Sequence, residues 1–362
     1  MTLMTPAATS NTHPAETSGI QLSSPHPQLS ALLQGAAIAN LEQTGWIRVT
    51  GSDRVRWLNG MATNSVQDLA SGSGAYNFFL NAQGRIQAVG NIFAAPSAAS
   101  AELLIETSRQ QIATLIPYLD HYIIMDDVEL ADISAERHGL TIIGPQAATL
   151  LAGLGLSADA LKELENRTLS WNSTTVSVIR AYGPLVPRYE IWADRADDIL
   201  ALQKALEEAG ATPCEPVALD WLRILEGTPL YGIDIRDRDL PQETNQTRAL
   251  HFNKGCYLGQ EIVERIRSRG NVHRTFTAFL LEGALPEPGA ILQSAGKPAG
   301  ELTSVAAIPL PGNHGPHLQR ALGYIRREAL ERHEPVQYSG GTAHPVSPLF
   351  PAAEIESPPP SI

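Results

Sequence analysis

Hydrophobic and polar residues alternate along most of the chain in short segments, a pattern typical of short strands interspersed with helices. The predicted strands are residues 45–50, 76–80, 86–93, 103–106, 128–132, 140–143, 176–182 and 188–192. The predicted helices are residues 28–41, 52–58, 109–122, 147–154, 158–166 and 195–209. Because these elements do not alternate as regular strand–helix–strand units, the pattern predicts an α+β fold and not a doubly wound parallel sheet.

The last part of the chain has a different pattern. Short apolar segments broken by Gly and Pro predict a small β-barrel over residues 271–345, preceded by a folded module over residues 28–270. Residues 1–27 and 346–362 are rich in Pro, Ser and Thr or Ala, which predicts disordered tails at both ends.

The charge balance limits the partners of this chain. Its net charge of −12 argues against binding to nucleic acid or to an anionic membrane through overall charge. One basic strip interrupts the acidic background, and it is either a solvated surface or an anion site. The strip consists of Arg265, Arg267, Arg269, His273 and Arg274.

Membrane and export segments are not predicted. No apolar run is long enough to cross a bilayer. A secretory signal or transit segment would need basic residues near the N-terminus, but no Lys or Arg precedes Arg48. These observations predict a cytoplasmic protein without membrane association.

The chain contains only two cysteines, Cys214 and Cys256, with no C-x-x-C pattern. A disulfide framework is therefore not expected, and two thiols do not by themselves supply a four-thiolate cluster or zinc site. No metal site is predicted, and any role in iron–sulfur chemistry is that of a helper.

The segment around Cys256 is the strongest candidate for chemistry. Its thiol lies between Lys254 and a predicted helix, and both an ammonium group and a helix N-terminus favour a thiolate. The ordinary alternative is a small buried apolar residue. Glu261 and Arg265 are spaced i, i+4, as in an ordinary ion pair on a helix surface.

Two charged residues outside this segment, Glu190 and Arg223, each have two possible roles. Strand alternation places Glu190 opposite Tyr189 and Ile191, so its carboxylate faces either solvent or a cavity, where it could accept two hydrogen bonds from an aminopyrimidine-like ring. Arg223 lies in a predicted helix that ends at Gly227, and it forms either a structural salt bridge or a contact with an anionic ligand.

The residues Lys254-Gly255-Cys256-Tyr257-Leu258-Gly259-Gln260-Glu261 closely resemble the K-G-C-Y-x-G-Q-E signature of the YgfZ family of folate-binding proteins. Those proteins are relatives of the glycine-cleavage T-protein and serve iron–sulfur cluster assembly and repair. The similarity extends from about Leu32 to Ala329. It includes residues 57–66, the hairpin at residues 79–86, and Leu222-Arg223 followed by residues 230–234.

The resemblance implies a three-domain T-protein-like ring with ferredoxin-like folate-binding subdomains and a small C-terminal β-barrel. It implies tetrahydrofolate or a one-carbon derivative as cofactor, and iron–sulfur enzymes or assembly proteins as partners. Cys256 matches the functional cysteine, with Lys254 beside it. The implied folate contacts are Glu190, Arg223, Tyr231 and Asn77, and the remaining signature residues are Gly255, Tyr257, Gly259, Gln260 and Glu261, with Arg265 after them.

The sequence is also compatible with three alternatives to this function. The aminomethyltransferases of the superfamily carry an Asp after the hairpin, and here Ala88 stands at that position, which argues against one-carbon transfer by their route. A folate-dependent aminomethyltransferase or demethylase is the enzyme alternative. A tRNA-modification accessory factor would use the basic strip, and vestigial folate binding is the remaining alternative.

Overall fold

The computed structural model describes residues 26–96, 101–270, 272–312, 316–332 and 335–352, without the side chain of Arg269. Most of the two predicted tails, residues 1–25 and 353–362, lies outside these ranges. The helices are α1 (Pro27–Gln34), α2 (Arg54–Met61), α3 (Arg109–Asp120), α4 (Ala147–Gly153), α5 (Ala196–Glu208), α6 (Pro216–Glu226), α7 (Gln260–Arg269) and α8 (Arg327–Leu330).

The strands form three sheets. The first eleven strands are β1 (Ala37–Asn40), β2 (Thr44–Thr50), β3 (Gly74–Leu80), β4 (Ile86–Ala94), β5 (Leu103–Ser108), β6 (Glu129–Asp132), β7 (His138–Ile143), β8 (Asn166–Trp171), β9 (Thr174–Ala181), β10 (Arg188–Ala193) and β11 (Thr212–Pro213). The others are β12 (Arg274–Gly283), β13 (Ile291–Ser294), β14 (Lys297–Ile308), β15 (Leu318–Arg326), β16 (Val336–Tyr338) and β17 (Gly341–Val346).

The predicted α+β class and C-terminal barrel are confirmed. A five-stranded sheet has the order β3-β4-β5-β2-β6, and a six-stranded sheet has the order β11-β1-β7-β10-β9-β8. Strands β12 to β17 close into a barrel of order β12-β15-β14-β13-β16-β17. Only the short β1–β11 pair is parallel among the described strand pairs.

Two predicted helices need correction, since one is shorter than predicted and the other is absent from the described residues. The helix predicted over residues 28–41 ends at Gln34, because the following residues pair as β1 with β7, where Ile38 is opposite Ile142. The described residues 158–166 contain turns in place of the predicted helix, with Leu164 at a positive φ of 58° before β8 begins. In the first of these segments, pairing with a distant strand overrides the local helical pattern.

The two open sheets pack face to face, and α6 packs between the six-stranded sheet and the barrel. The rings of Trp46 and Trp192 meet edge to face across the two open sheets, with centroids 5.1 Å apart. Leu222 of α6 is fully buried in a cluster with Ile143 of the six-stranded sheet and Phe276 of the barrel, whereas α4 and α5 cover the opposite face of that sheet.

The packed chain continues past the predicted boundary at residue 345. Phe350 is buried in the same cluster as α6, and its amide donates to the carbonyl oxygen of Leu225 at 2.8 Å. Arg320 donates to the carbonyl oxygens of Ser347 and Pro348. The C-terminal tail predicted from residue 346 is therefore wrong for its first residues, which attach to α6 and β15.

Candidate functional site

The strand alternation predicted around Glu190 is correct. Tyr189 and Ile191 are buried in the core that α4 and α5 cover, whereas Glu190 points to the opposite face of the sheet, toward β5 of the five-stranded sheet. One carboxylate oxygen of Glu190 accepts a hydrogen bond from the indole nitrogen of Trp192 at 3.1 Å. Of the two interpretations open for Glu190, the structure supports the one in which it faces the interior.

A cavity of about 420 Å³ adjoins this carboxylate and is lined by both Glu190 and Arg223. Strands β1, β7 and β10 form one wall, and α6 with residues 228–230 forms the other. Its apolar lining is Leu41, Ile143, Pro216, Leu219, Pro229 and Leu230. An apolar cleft of this size with a few convergent polar groups is typical of a small-molecule site.

Arg223 forms a structural ion pair. Its guanidinium donates to a carboxylate oxygen of fully buried Asp234 at 2.6 Å, and to the hydroxyl of Ser304 in the barrel at 2.9 Å. It also contacts the carboxylate of Asp220 at 2.7 Å. Arg223 therefore joins α6 to the barrel. A contact between Arg223 and a ligand would come in addition to these protein contacts, and it stays a prediction.

The other two predicted folate contacts do not line the cavity at Glu190. Asn77 is fully buried, and its side chain accepts from the amide of Asn64 and donates to the carbonyl of Ala75. The hydroxyl of Tyr231 donates to the carbonyl oxygen of Gln87. The structure thus gives both side chains protein partners, and their role in folate binding remains untested.

Sequence reasoning missed a buried ion pair in the cavity wall. Arg188 and Glu226 lie 3.2 Å apart, and the Glu226 side chain is 1% exposed. Burial raises the pKa of Glu226, whereas the charge of Arg188 acts in the opposite direction. The available signal was the position of Arg188 two residues before Glu190, which places both side chains on one strand face.

Sequence reasoning also missed Glu106 of β5. Its side chain hydrogen-bonds to Glu190 and accepts from the amide of Asn91 at 2.8 Å. Burial, and then the charge of Glu190, raise the pKa of Glu106 well above its usual range. The signal in the sequence was a carboxylate inside an otherwise apolar strand, Leu103-Leu104-Ile105-Glu106.

Cys256 lies in the loop before α7 and is exposed, so it is not the buried apolar residue of the alternative interpretation. The helix begins only at Gln260, with Gly259 as its N-cap. Cys256 does not line the cavity at Glu190. The structure therefore keeps the thiol and the carboxylate at two separate places.

Lys254 anchors the thiol loop to another helix. Its ammonium donates to the carbonyl oxygens of Asn59, Ala62 and Asn64, at 2.6, 2.7 and 2.7 Å. These carbonyls lie at and just after the end of α2, where the negative end of the helix dipole also favours a cation. Burial lowers the pKa of Lys254 to about 8, a tendency that the three acceptors oppose. Its predicted role beside the thiolate stays a prediction.

The rest of the signature holds this loop in place. Tyr257 is buried beneath it, and Gly259 has a φ of +81° with its Cα against the hairpin turn. A Cβ on Gly259 would lie 2.6 Å from the carbonyl oxygen of Asn81. Glu261 and Arg265 form an exposed helix-surface pair at 2.6 Å, which confirms the ordinary interpretation of that spacing.

The described part of the basic strip is largely neutralised. Arg265 and Arg267 pair with Glu261 and Glu264 on α7. The guanidinium of Arg274 is half-buried and lies 2.5 Å from the carboxylate of Asp239. This arrangement favours a solvated surface over an anion site, and the side chain of Arg269 lies outside the described part of the chain.

The position proposed for the missing catalytic Asp needs correction. Ala88 is 1% exposed and faces the core that α2 and α3 cover, away from the six-stranded sheet. Its neighbours Gln87 and Val89 point to the opposite face of β4, and neither is a carboxylic acid. An Asp at residue 88 would be buried among apolar side chains, so a catalytic acid would have to come from another position.

Within the described residues, no helix is both long enough and apolar enough to cross a membrane. Nor do those residues include three or more His, Cys, Asp or Glu side chains gathered as ligands for a metal ion.

The chain is similar to known protein families and to a solved structure. Residues 26–254 match the GCVT N-terminal domain, and residues 272–352 match the CAF17 C-terminal beta-barrel domain. A glycine cleavage system aminomethyltransferase T from Bartonella henselae superposes with a TM-score of 0.76 at 19% identity, over 90% of each chain. The predicted T-protein-like fold is thereby confirmed.

Two relatives are similar in sequence over most of the chain. A chloroplastic putative transferase of Arabidopsis thaliana is 27% identical over 83% of this chain and 68% of its own length. An aminomethyltransferase of Thermus thermophilus is 26% identical over 83% of this chain and 82% of its own length. Both matches fit an aminomethyltransferase-like domain of the T-protein superfamily.

Proposed function

The chain belongs to the GCVT N-terminal domain family, and on that premise we propose that it binds tetrahydrofolate or a one-carbon derivative in the cavity at Glu190. We further propose that it supports the assembly or repair of iron–sulfur enzymes through the thiol of Cys256. The observation that carries the proposal is the placement of an interior carboxylate and Arg223 in the wall of one cavity.

The chemistry of this cavity suits a pterin ring. A carboxylate offers two acceptors side by side, which match the adjacent N–H groups of an aminopyrimidine. The aliphatic side chains of Leu41 and Leu219 supply apolar surface for the faces of a planar ring. Glu190 would hold and orient the ring, and folate would supply the capacity to carry a one-carbon unit.

The thiol loop suits contact with a protein partner. Cys256 is exposed, and Lys254 and Gly259 fix the loop to α2 and to the β3–β4 hairpin. An exposed thiol on an anchored loop is accessible to a client protein without opening the fold. Since the chain has only two cysteines, we expect it to act on the clusters of other proteins and not to carry a four-thiolate cluster itself.

The aminomethyltransferase-like relatives make catalysis of one-carbon transfer the second candidate. No carboxylate stands at residues 86–89 of this chain, so the proton at a folate nitrogen would need another acceptor. Turnover of an aminomethyl donor by the purified chain would establish that candidate. The paired arginines of α7 give no support to the tRNA alternative.

Calorimetric titration with tetrahydrofolate tests the folate half of the proposal. We expect wild type to bind and Glu190→Ala to lose at least tenfold in affinity, because one hydrogen-bonded charge is worth about 1.5–3 kcal/mol. Glu208→Ala, an exposed carboxylate on α5, is the matched control. No binding by wild type would refute folate as the ligand.

Complementation tests the thiol half. In cells that lack their own copy, Cys256→Ser should fold and bind folate but fail to restore the activity of iron–sulfur enzymes. Cys214→Ser is the control, because that thiol is partly buried and lies outside the loop. Full rescue by Cys256→Ser would rule out the thiol mechanism.

A further inference from the structure

A row of polar side chains crosses the five-stranded sheet on the face that meets the six-stranded sheet. Tyr76 of β3 is opposite Asn91 of β4, Asn91 is opposite Glu106 of β5, and Glu106 is opposite Trp46 of β2. Glu106 occupies the middle of this row and is 7% exposed. An ionised carboxylate at such a place would need strong compensation.

The contacts of Glu106 are those of a neutral acid. It hydrogen-bonds to Glu190 of the facing sheet and accepts a hydrogen bond from the amide of Asn91. Two carboxylates cannot form a hydrogen bond unless one of them carries a proton. Burial favours the proton on Glu106, because Glu190 reaches the cavity whereas Glu106 does not line it.

The other groups around Glu106 do not supply a dedicated positive charge that would neutralise an ionised Glu106. Arg137 is the cation that acts on it, but its guanidinium stacks on the ring of Trp46, with the central carbon 4.2 Å from the ring centroid. Glu102 and Asp194 also act on Arg137. Tyr76, Asn91, Trp46 and Trp192 are neutral. The positive charge of Arg137 is thus shared among several carboxylates and is not dedicated to Glu106.

We propose that Glu106 is a positioning residue of the cavity: as a neutral acid it donates a hydrogen bond to Glu190 and holds that carboxylate toward the ligand. This inference rests on the proposed folate site and deepens it. Trp192 donates to one oxygen of Glu190 from the same sheet, so Glu106 and Trp192 together fix the carboxylate from both sheets. Ligand affinity then depends on a proton held at the oxygen of Glu106.

The pair predicts a direction of pH dependence. Burial, and then the charge of Glu190, raise the pKa of Glu106 well above its usual range, so its neutral form is favoured toward lower pH. As the pH rises through that pKa, the donor is lost and a second negative charge appears beside Glu190. Affinity for tetrahydrofolate should therefore fall toward alkaline pH, and it should fall together with the stability that the hydrogen bond supplies.

Three variants at Glu106 test this role by titration with tetrahydrofolate across pH. Glu106→Gln keeps a neutral donor, so it should bind as wild type does at neutral pH and lose the alkaline decrease. Glu106→Leu removes the donor and should lose about tenfold or more in affinity. Glu106→Ala serves as a second apolar variant in case Leu does not fold. Glu102→Gln is the control, since Glu102 acts on Arg137 but is not a partner of Glu190.

Infrared spectroscopy of the ligand-free protein separates this inference from the folate proposal. A carboxylic acid band at neutral pH that disappears in Glu106→Gln would support the neutral acid. Its absence at neutral pH would overturn the inference, as would wild-type affinity in Glu106→Leu or an unchanged pH profile in Glu106→Gln. If wild type does not bind tetrahydrofolate, the proposed function fails, and the positioning role for that ligand fails with it. The infrared spectrum still determines whether Glu106 carries a proton.

Discussion

The ammonium nitrogen of Lys254 lies 2.6 Å from the carbonyl oxygen of Asn59, near the end of α2. The lysine of the cysteine signature is therefore a cap for a helix that precedes it by almost two hundred residues. Through this contact the thiol loop and the five-stranded sheet are held in one arrangement, and the position of Cys256 depends on α2.

Replacing Lys254 by Met should destabilise the protein by about 3 kcal/mol, because hydrogen bonds to a charged group are worth about 1.5–3 kcal/mol each and do not add fully. Three carbonyl acceptors would lose their donor at once. Denaturant unfolding measures the change. Lys204→Met, at an exposed position of α5, should have almost no effect. Equal stability of the two variants would contradict the cap.

The two glycines of the signature should respond differently to alanine. Gly259 has a φ of +81° and no room for a Cβ beside the carbonyl of Asn81, so Gly259→Ala should cost about 2 kcal/mol or more. A Cβ on Gly255 meets no atom within 4 Å, so Gly255→Ala should stay within about 0.5 kcal/mol of wild type. The free energy of unfolding of both variants decides this.

The C-terminal segment should contribute to the stability of the barrel and α6. Phe350 is 3% exposed, and Phe350→Ala should cost about 3 kcal/mol through lost burial and a cavity. Its neighbour Leu349 is 40% exposed, and Leu349→Ala should cost about 1 kcal/mol or less. Thermal unfolding of the pair checks this, and a neutral Phe350→Ala would restore the boundary predicted at residue 345.

The two thiols should react at different rates with an alkylating reagent. Cys256 is exposed and should be modified first in the folded protein, as followed by mass spectrometry. Burial raises the pKa of Cys214 to about 11, so its thiolate is scarce at neutral pH and its rate should rise as the pH approaches that value. Cys256→Ser should remove the fast phase alone. A fast phase that persists in this variant would show that Cys214 is accessible.

Much of the architecture followed from local patterns. Strand alternation around Glu190 placed the carboxylate on the correct face, the turn at Gly84 joined β3 to β4, and Gly and Pro spacing after Arg274 predicted the barrel. These features depend on residues close together in the chain, where side-chain period and backbone φ limit the choices. The signature around Cys256 was likewise a contiguous run and could be read directly.

The partners of the charged groups were decided only by the tertiary structure. Glu106 reaches Glu190, Arg188 reaches Glu226, and Lys254 reaches the end of α2 across long stretches of chain. The same packing overrode the helical pattern of residues 35–41, which became β1 between two distant strands. Sequence determines which side chains carry charge and which faces are apolar. Which charges meet, and which one keeps its proton, depends on how the sheets pack and exclude water, a property that no local pattern encodes.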